Sequence, residues 1–115
     1  MDKRLTKALE FSNFNATLNN QKRILNEKYQ EDLIHYHNGA KFSVDTQLIN
    51  FVSHMKDSNQ DTLILIDDNS QPTEVKPIDF LEEIKNVYFT ATNRYHTEYN
   101  KLIKNRTVSG LLKYD

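Results

Sequence analysis

Only four of the 115 residues are Gly or Pro, at positions 39, 72, 77 and 110, and they leave two long stretches with no helix-breaking residue. Gly interrupts regular backbone by its left-handed freedom and Pro by its missing N–H. Long helices are therefore expected before Gly39 and after Pro77, with turns and strands in the interval between them.

In the first stretch Leu18, Leu25, Tyr29, Leu33 and Tyr36 recur at helical spacing, which predicts a helix over residues 3–37. Four asparagines between Asn13 and Asn20 lower helix propensity and predict a bend or break over 13–20. Asn38-Gly39 reads as the helix stop. Ala40, Phe42 and Val44 alternate with polar residues as a strand over 40–44, and Asp45 is placed to cap a helix over 46–57 whose apolar face is Leu48, Phe51, Val52 and Met55. Leu63–Ile66 and Thr73–Lys76, around the polar turn DDNSQP, predict an antiparallel hairpin of strands 62–66 and 73–77. Four successive aliphatic residues point to both faces of a sheet, so the first of these strands is expected to be covered on both sides.

The third helix is expected over 79–105, with Asp79 and Glu82 in the pattern of a capping box. Along it Leu81, Ile84, Tyr88, Ala91, Tyr95 and Leu102 recur every three or four positions, with Glu98 the one polar member of the series. Residues 106–115 form either a docked turn or a loose tail. The whole reads as one α+β domain over 1–115, dominated by long amphipathic helices with a small antiparallel β element. A hydrophobic fraction of 37%, below the roughly 45–50% of an average globular chain, suits helices with a single apolar stripe.

Fifteen basic residues balance sixteen acidic ones, so any contact with nucleic acid or anionic lipid has to be a local patch. The absence of cysteine excludes disulfides, thiolate zinc sites and cysteine nucleophiles. The first residues carry no apolar run of signal-peptide length and the longest aliphatic run is Leu63–Ile66, so neither export nor a membrane is expected and the location is read as cytoplasmic. In that setting the triplets Asn15-Ala16-Thr17 and Asn105-Arg106-Thr107 are chance matches to the glycosylation pattern.

His35 and His37 have the spacing of a metal pair on a strand. On a helix, residues two apart diverge, so the pair acts jointly only if the helix has already ended; Asp32 and His96 are the further ligands that could be imagined. Inside a helix over 3–37 the two histidines read as exposed groups near a C-terminus, and neither metal nor organic cofactor is expected. The loop from Asp67 has the oxygen density of a calcium loop, but Pro72 stands where the turning Gly belongs and Ile78 where the bidentate Glu belongs, which leaves a polar hairpin tip folded on its own backbone. No Gly-rich phosphate loop, nucleophile elbow or spaced acid pair is present, so no catalytic residue is assigned and no enzyme is expected.

The stretches LILIDDNSQPTEVKPIDFLEEI and ATNRYHTEYNKLIKNRTVSGLL, with NQKRILNEKYQEDLIHYHNGAKFSVDTQLINFV upstream, resemble a small protein recurring in T-even-like phages of marine cyanobacteria, over about Leu18 to Leu112. The resemblance implies a phage-encoded protein made in the host cytoplasm, in the virion or in host takeover, with a phage or host protein as possible partner. Its motifs are structural punctuation, so it transfers no functional residue.

The functional expectation is a structural, assembly or host-interaction protein that self-associates through helices. The alternative is a nucleic-acid-associated accessory protein using basic helix ends, with Lys101, Lys104 and Arg106, or Lys3, Arg4 and Lys7, as contacts. A short chain has few elements to cover two long stripes, so a homodimer is favoured, with Leu81, Ile84, Tyr88, Ala91, Tyr95 and Leu102 packing together with the Leu18–Tyr36 face; pairing of the two helices within one chain is the competitor. Light scattering coupled to size exclusion is expected to give twice the 13.6 kDa chain mass at micromolar concentration. A single-chain mass overturns the dimer, and Tyr95→Asp is expected to yield a folded monomer if the seam lies on this helix.

Overall fold

The computed structural model describes the backbone of residues 3–114 and the side chains of residues 3–105. In order, the elements are α1 (Lys3–Asp32), β1 (Ile34–His37), β2 (Ala40–Ser43), α2 (Thr46–Asp57), β3 (Leu63–Ile66), β4 (Pro72–Val75) and α3 (Pro77–Tyr114). Helices take 69% of the residues and the strands form two separate antiparallel pairs, so the fold is α+β with helix dominant. The chain divides into two compact units, one from Met1–Lys28 with Arg94–Asp115 and the other from Tyr29–Asn93. Among the described residues, no helix is long and apolar enough to cross a membrane.

Helix α1 runs unbroken through the Asn-rich stretch, where the sequence predicts a bend or break. The Thr17 hydroxyl donates to the Asn13 carbonyl at 2.9 Å, and the Arg23 guanidinium donates both to Asn20 Oδ1 at 2.8 Å and to Glu27 Oε1 at 2.6 Å. The helix ends at Asp32, five residues short of the expected boundary, because Asn38 and Gly39 form a hairpin turn rather than a helix stop. Both take positive φ, +50° and +82°, the signature of a two-residue turn whose twist matches antiparallel strands. The register pairs His35 with Phe42 and His37 with Ala40, and Val44 N–H extends the ladder to the Leu33 carbonyl at 2.9 Å.

Asp45 caps α2 as expected, its carboxylate accepting from Leu48 N–H at 2.7 Å. Val52 is fully buried beneath that helix, but Phe51 is 43% exposed and Ile49 takes its place against the core. Helix α3 begins two residues before its expected start. Pro77 occupies the first helical position, where its missing N–H costs nothing, and Phe80 N–H closes the first turn on the Lys76 carbonyl at 2.9 Å. Asp79 is thus inside the first turn, where it favours the helix dipole, and is not an N-cap. The backbone of residues 106–114 continues α3.

The buried core belongs to the Tyr29–Asn93 unit. Ala40, Phe42 and Val44 of β2 meet Val52 of α2, Leu65 and Val75 of the second hairpin, and Phe80, Leu81 and Ile84 of α3. The β3–β4 hairpin turns only one face inward: Leu65 is buried, while Ile64 and Ile66 are 59% and 63% exposed, so the expected cover on both faces is absent within the chain. By contrast, α1 contributes no buried residue in thirty.

The two hairpins are joined by acid side chains. Lys41 and Ser43 alternate along β2 so that their N–H groups face away from β1, a row of donors that needs acceptors. Asp67 accepts from Lys41 N–H at 3.1 Å and Asp68 accepts from Ser43 N–H at 3.2 Å and Ser43 Oγ–H at 2.6 Å, while Asp68 N–H donates to the Lys41 carbonyl at 2.8 Å. Asp67, 5% exposed, also accepts from Gln71 N–H at 2.7 Å and Asn69 N–H at 3.0 Å, which folds the loop on itself as the sequence suggests. The Gln71 bond is the largest influence holding its carboxyl below the ordinary range; burial opposes it, and the Lys41 and Asn69 bonds assist.

A carboxyl depressed in the folded state stabilises the fold above its unfolded pKa of about 3.9 and loses that contribution as pH falls through the lower folded value. Asp67→Asn is therefore expected to lower the urea midpoint at pH 7, with the gap to the parent protein closing as pH drops below about 4. A gap that stays constant from pH 7 to pH 3 would show that the charge of Asp67 is not what holds the loop.

Candidate metal site

The hairpin turn decides where the two histidines point. Alternate residues of a strand share a face, so ending α1 at Asp32 places His35 and His37 side by side on the inward face of β1, opposite Phe42 and Ala40. Phe80 of α3 is fully buried against the same face, with ring centroids 5.3 Å from His37 and 5.2 Å from Phe42, both edge-on, and 6.2 Å from His35. Glu83 stands one helical turn beyond Phe80 and so projects from the same side of α3.

The three side chains converge on one atom. Glu83 Oε2 lies 2.9 Å from His37 Nδ1 and 3.3 Å from His35 Nε2. The histidine side chains are about one-fifth exposed and the Glu83 side chain is 41% exposed, so the cluster sits at the rim of the core with a route to solvent. All three potential ligand atoms lie within 4.8 Å of one another, and they form a possible metal group among the described residues. With bonds of about 2.0–2.1 Å, neighbouring ligand atoms stand roughly 2.9 Å apart around an octahedral ion and 3.4 Å around a tetrahedral one. The two His–Glu separations span that interval. Two imidazoles and a carboxylate suit a divalent first-row transition ion and leave coordination positions for outside groups.

His37 also lines a cleft of about 370 Å³ with Asn38, Thr62, Glu74, Val75, Lys76 and Asp79. The further ligands that the sequence suggests are not in the cluster: Asp32 is not in it, and His96 Nε2 lies 3.1 Å from Asn100 Nδ2 on exposed α3. Glu83 is the residue that sequence reasoning missed. Its signal is the three-residue step from Phe80, which becomes informative only once Asn38-Gly39 is read as a hairpin.

The expected seam residues are distributed between two environments. Leu81, Ile84 and Ala91 are 4%, 0% and 2% exposed in the single chain, and Tyr88 packs against the core that Leu81 and Ile84 belong to, so this half of the stripe is covered without a partner. Tyr95 and Leu102 are half-buried in the other unit, where Leu102 shares a groove of about 480 Å³ with Ile24, Leu25 and Lys101, and the Lys22 ammonium lies 5.8 Å from the Tyr99 ring centre. Residues 21–25 of α1 and 98–105 of α3 therefore line one groove within the chain. Lys101 is exposed, 3.8 Å from Glu98; Lys104 is exposed; the Arg106 side chain lies outside the described residues.

Comparison with known proteins finds no matching family model, curated sequence or solved structure.

The burial of Ile84 makes a prediction about the stripe. Ile84→Ala is expected to cost about 2–5 kcal/mol in chemical denaturation, with a midpoint independent of protein concentration because the lost contacts are intramolecular. A loss that grows on dilution would place Ile84 at an interface between chains.

Proposed function

We propose that the protein binds a divalent transition-metal ion through His35, His37 and Glu83 and that the bound ion keeps at least one position for an exogenous ligand. The observation that carries this reading is the convergence of both imidazoles on a single carboxylate oxygen, at 2.9 and 3.3 Å. A hydrogen-bonded pin between β1 and α3 would need only one histidine. Two of them, on a rim open to solvent, supply the donor set of a three-ligand site. The hydrophobic wall of Phe80 and Phe42 behind the histidines limits their rotation, which lowers the entropy lost on coordination. No reaction is assigned to the ion, and the protein is read as a binding protein.

Self-association is a second reading, favoured by one observation. None of the thirty residues of α1 is buried, and Leu5, Leu9 and Phe11 are each about half exposed, so apolar surface is available to a second copy.

Zinc titrated into tag-free protein is expected to bind at one ion per chain. At a free concentration a hundred times the dissociation constant it should stabilise the fold by about 2.7 kcal/mol. His35→Ala and His37→Ala should each abolish the stabilisation while leaving the circular dichroism of the fold, and Glu83→Gln should weaken it. If zinc, cobalt and nickel all fail to raise the melting temperature, or if the double histidine variant binds as the parent does, the metal reading is overturned and the triad is a hydrogen-bonded pin.

A further inference from the structure

The net charge of −1 conceals a division of charge between the two units. Residues Met1–Lys28 and Arg94–Asp115 hold eleven of the fifteen basic residues and five of the sixteen acidic ones; Tyr29–Asn93 holds the other four and eleven. The helix-pair unit thus carries a formal +6 and the core unit −7. We propose that the helix-pair unit docks on the phosphodiester backbone of nucleic acid, a function separate from the metal site.

The basic residues are arranged for an extended polyanion. On α3, Arg94, Lys101 and Lys104 are exposed and separated by seven and three positions, which keeps them on one helical face, away from the half-buried Tyr95, Tyr99 and Leu102. They span ten residues, about 15 Å of helix axis, the axial length of roughly four phosphates along one strand. A single phosphate or a small anion would use only one of them. On α1, Lys3, Lys7 and Lys28 are exposed as well. Two of the basic residues have exposed acidic partners: the Lys101–Glu98 pair is 3.8 Å apart, and Arg23 pairs with Glu27 across one turn. Exposed pairs of this kind are worth at most about 1 kcal/mol, so phosphates compete with them readily. The acidic core unit disfavours any docking of the strand over the metal-site face, which directs the polyanion to the helix pair.

The test is fluorescence anisotropy of a labelled 20-nucleotide single strand and its duplex, from 20 to 200 mM salt. Binding is expected at low salt, with its logarithm falling linearly against the logarithm of salt concentration. Replacing Lys101 and Lys104 together by Glu should reduce that slope by about 1.5–2 and the low-salt affinity at least tenfold, with unchanged circular dichroism. The His35→Ala/His37→Ala variant should bind as the parent does, which separates this outcome from that of the metal reading. Absence of binding at 20 mM salt, or binding insensitive to the Lys101/Lys104 replacement, overturns the proposal. Equal or stronger binding to vesicles containing phosphatidylserine overturns it in favour of a membrane surface.

Discussion

Everything in the core unit turns on Phe80. It is fully buried in the first turn of α3 and meets Phe42 and His37 edge-on, so one side chain ties the long helix to the inward face of the first hairpin. Aromatic contacts of this kind add about 0.5–1.5 kcal/mol to the area that they bury, but their larger effect is geometric. Once Phe80 is fixed, the helical repeat leaves Glu83 little freedom, and the strand repeat does the same for His35 and His37. The site is a by-product of two periodicities locked together at one ring.

The sequence makes the long helices, the Asp45 cap and the second hairpin legible because each rests on a local rule: periodicity, a capping side chain, a turn-rich interval. The site is not legible in the same way. Asn38-Gly39 carries two meanings, helix stop and hairpin turn, and local chemistry does not choose between them. The choice falls to the hairpin because Ala40, Phe42 and Val44 offer Ile34–His37 a strand to pair with and a core to face. A helical reading of His35 and His37 disperses them; the strand reading unites them. Glu83 is recognisable only through a tertiary contact 46 residues away in sequence. Lys76-Pro77, rather than Asp79, marks the start of α3, because a proline at the first helical position outweighs an acid two residues later.

The two units rest on different physics. The core unit buries aliphatic and aromatic side chains and satisfies the exposed edge of β2 with Asp67 and Asp68, so hydrophobic burial and hydrogen bonding support the same arrangement. The helix pair buries no residue of α1 and shares only half-buried side chains such as Leu25 and Leu102. Its helices have the length for stability but not the interior, and they concentrate positive charge where the core unit concentrates negative charge.

This division also sets an order of assembly. The core unit is one continuous segment built on two hairpins, so even its longest contacts, such as His37 with Glu83, close within that segment. The helix pair joins residues up to Lys28 with residues from Arg94 onward, across the entire core unit. At about 5–20 residues per second of synthesis, α1 emerges roughly 3–13 seconds before its partner helix exists. During that interval Ile24 and Leu25 lack the α3 residues with which they line a groove, and this stretch of α1 is open to whatever else in its surroundings offers apolar surface. Closure of the pair spans Tyr29–Asn93, and a chain already folded over that span has fewer conformations to lose.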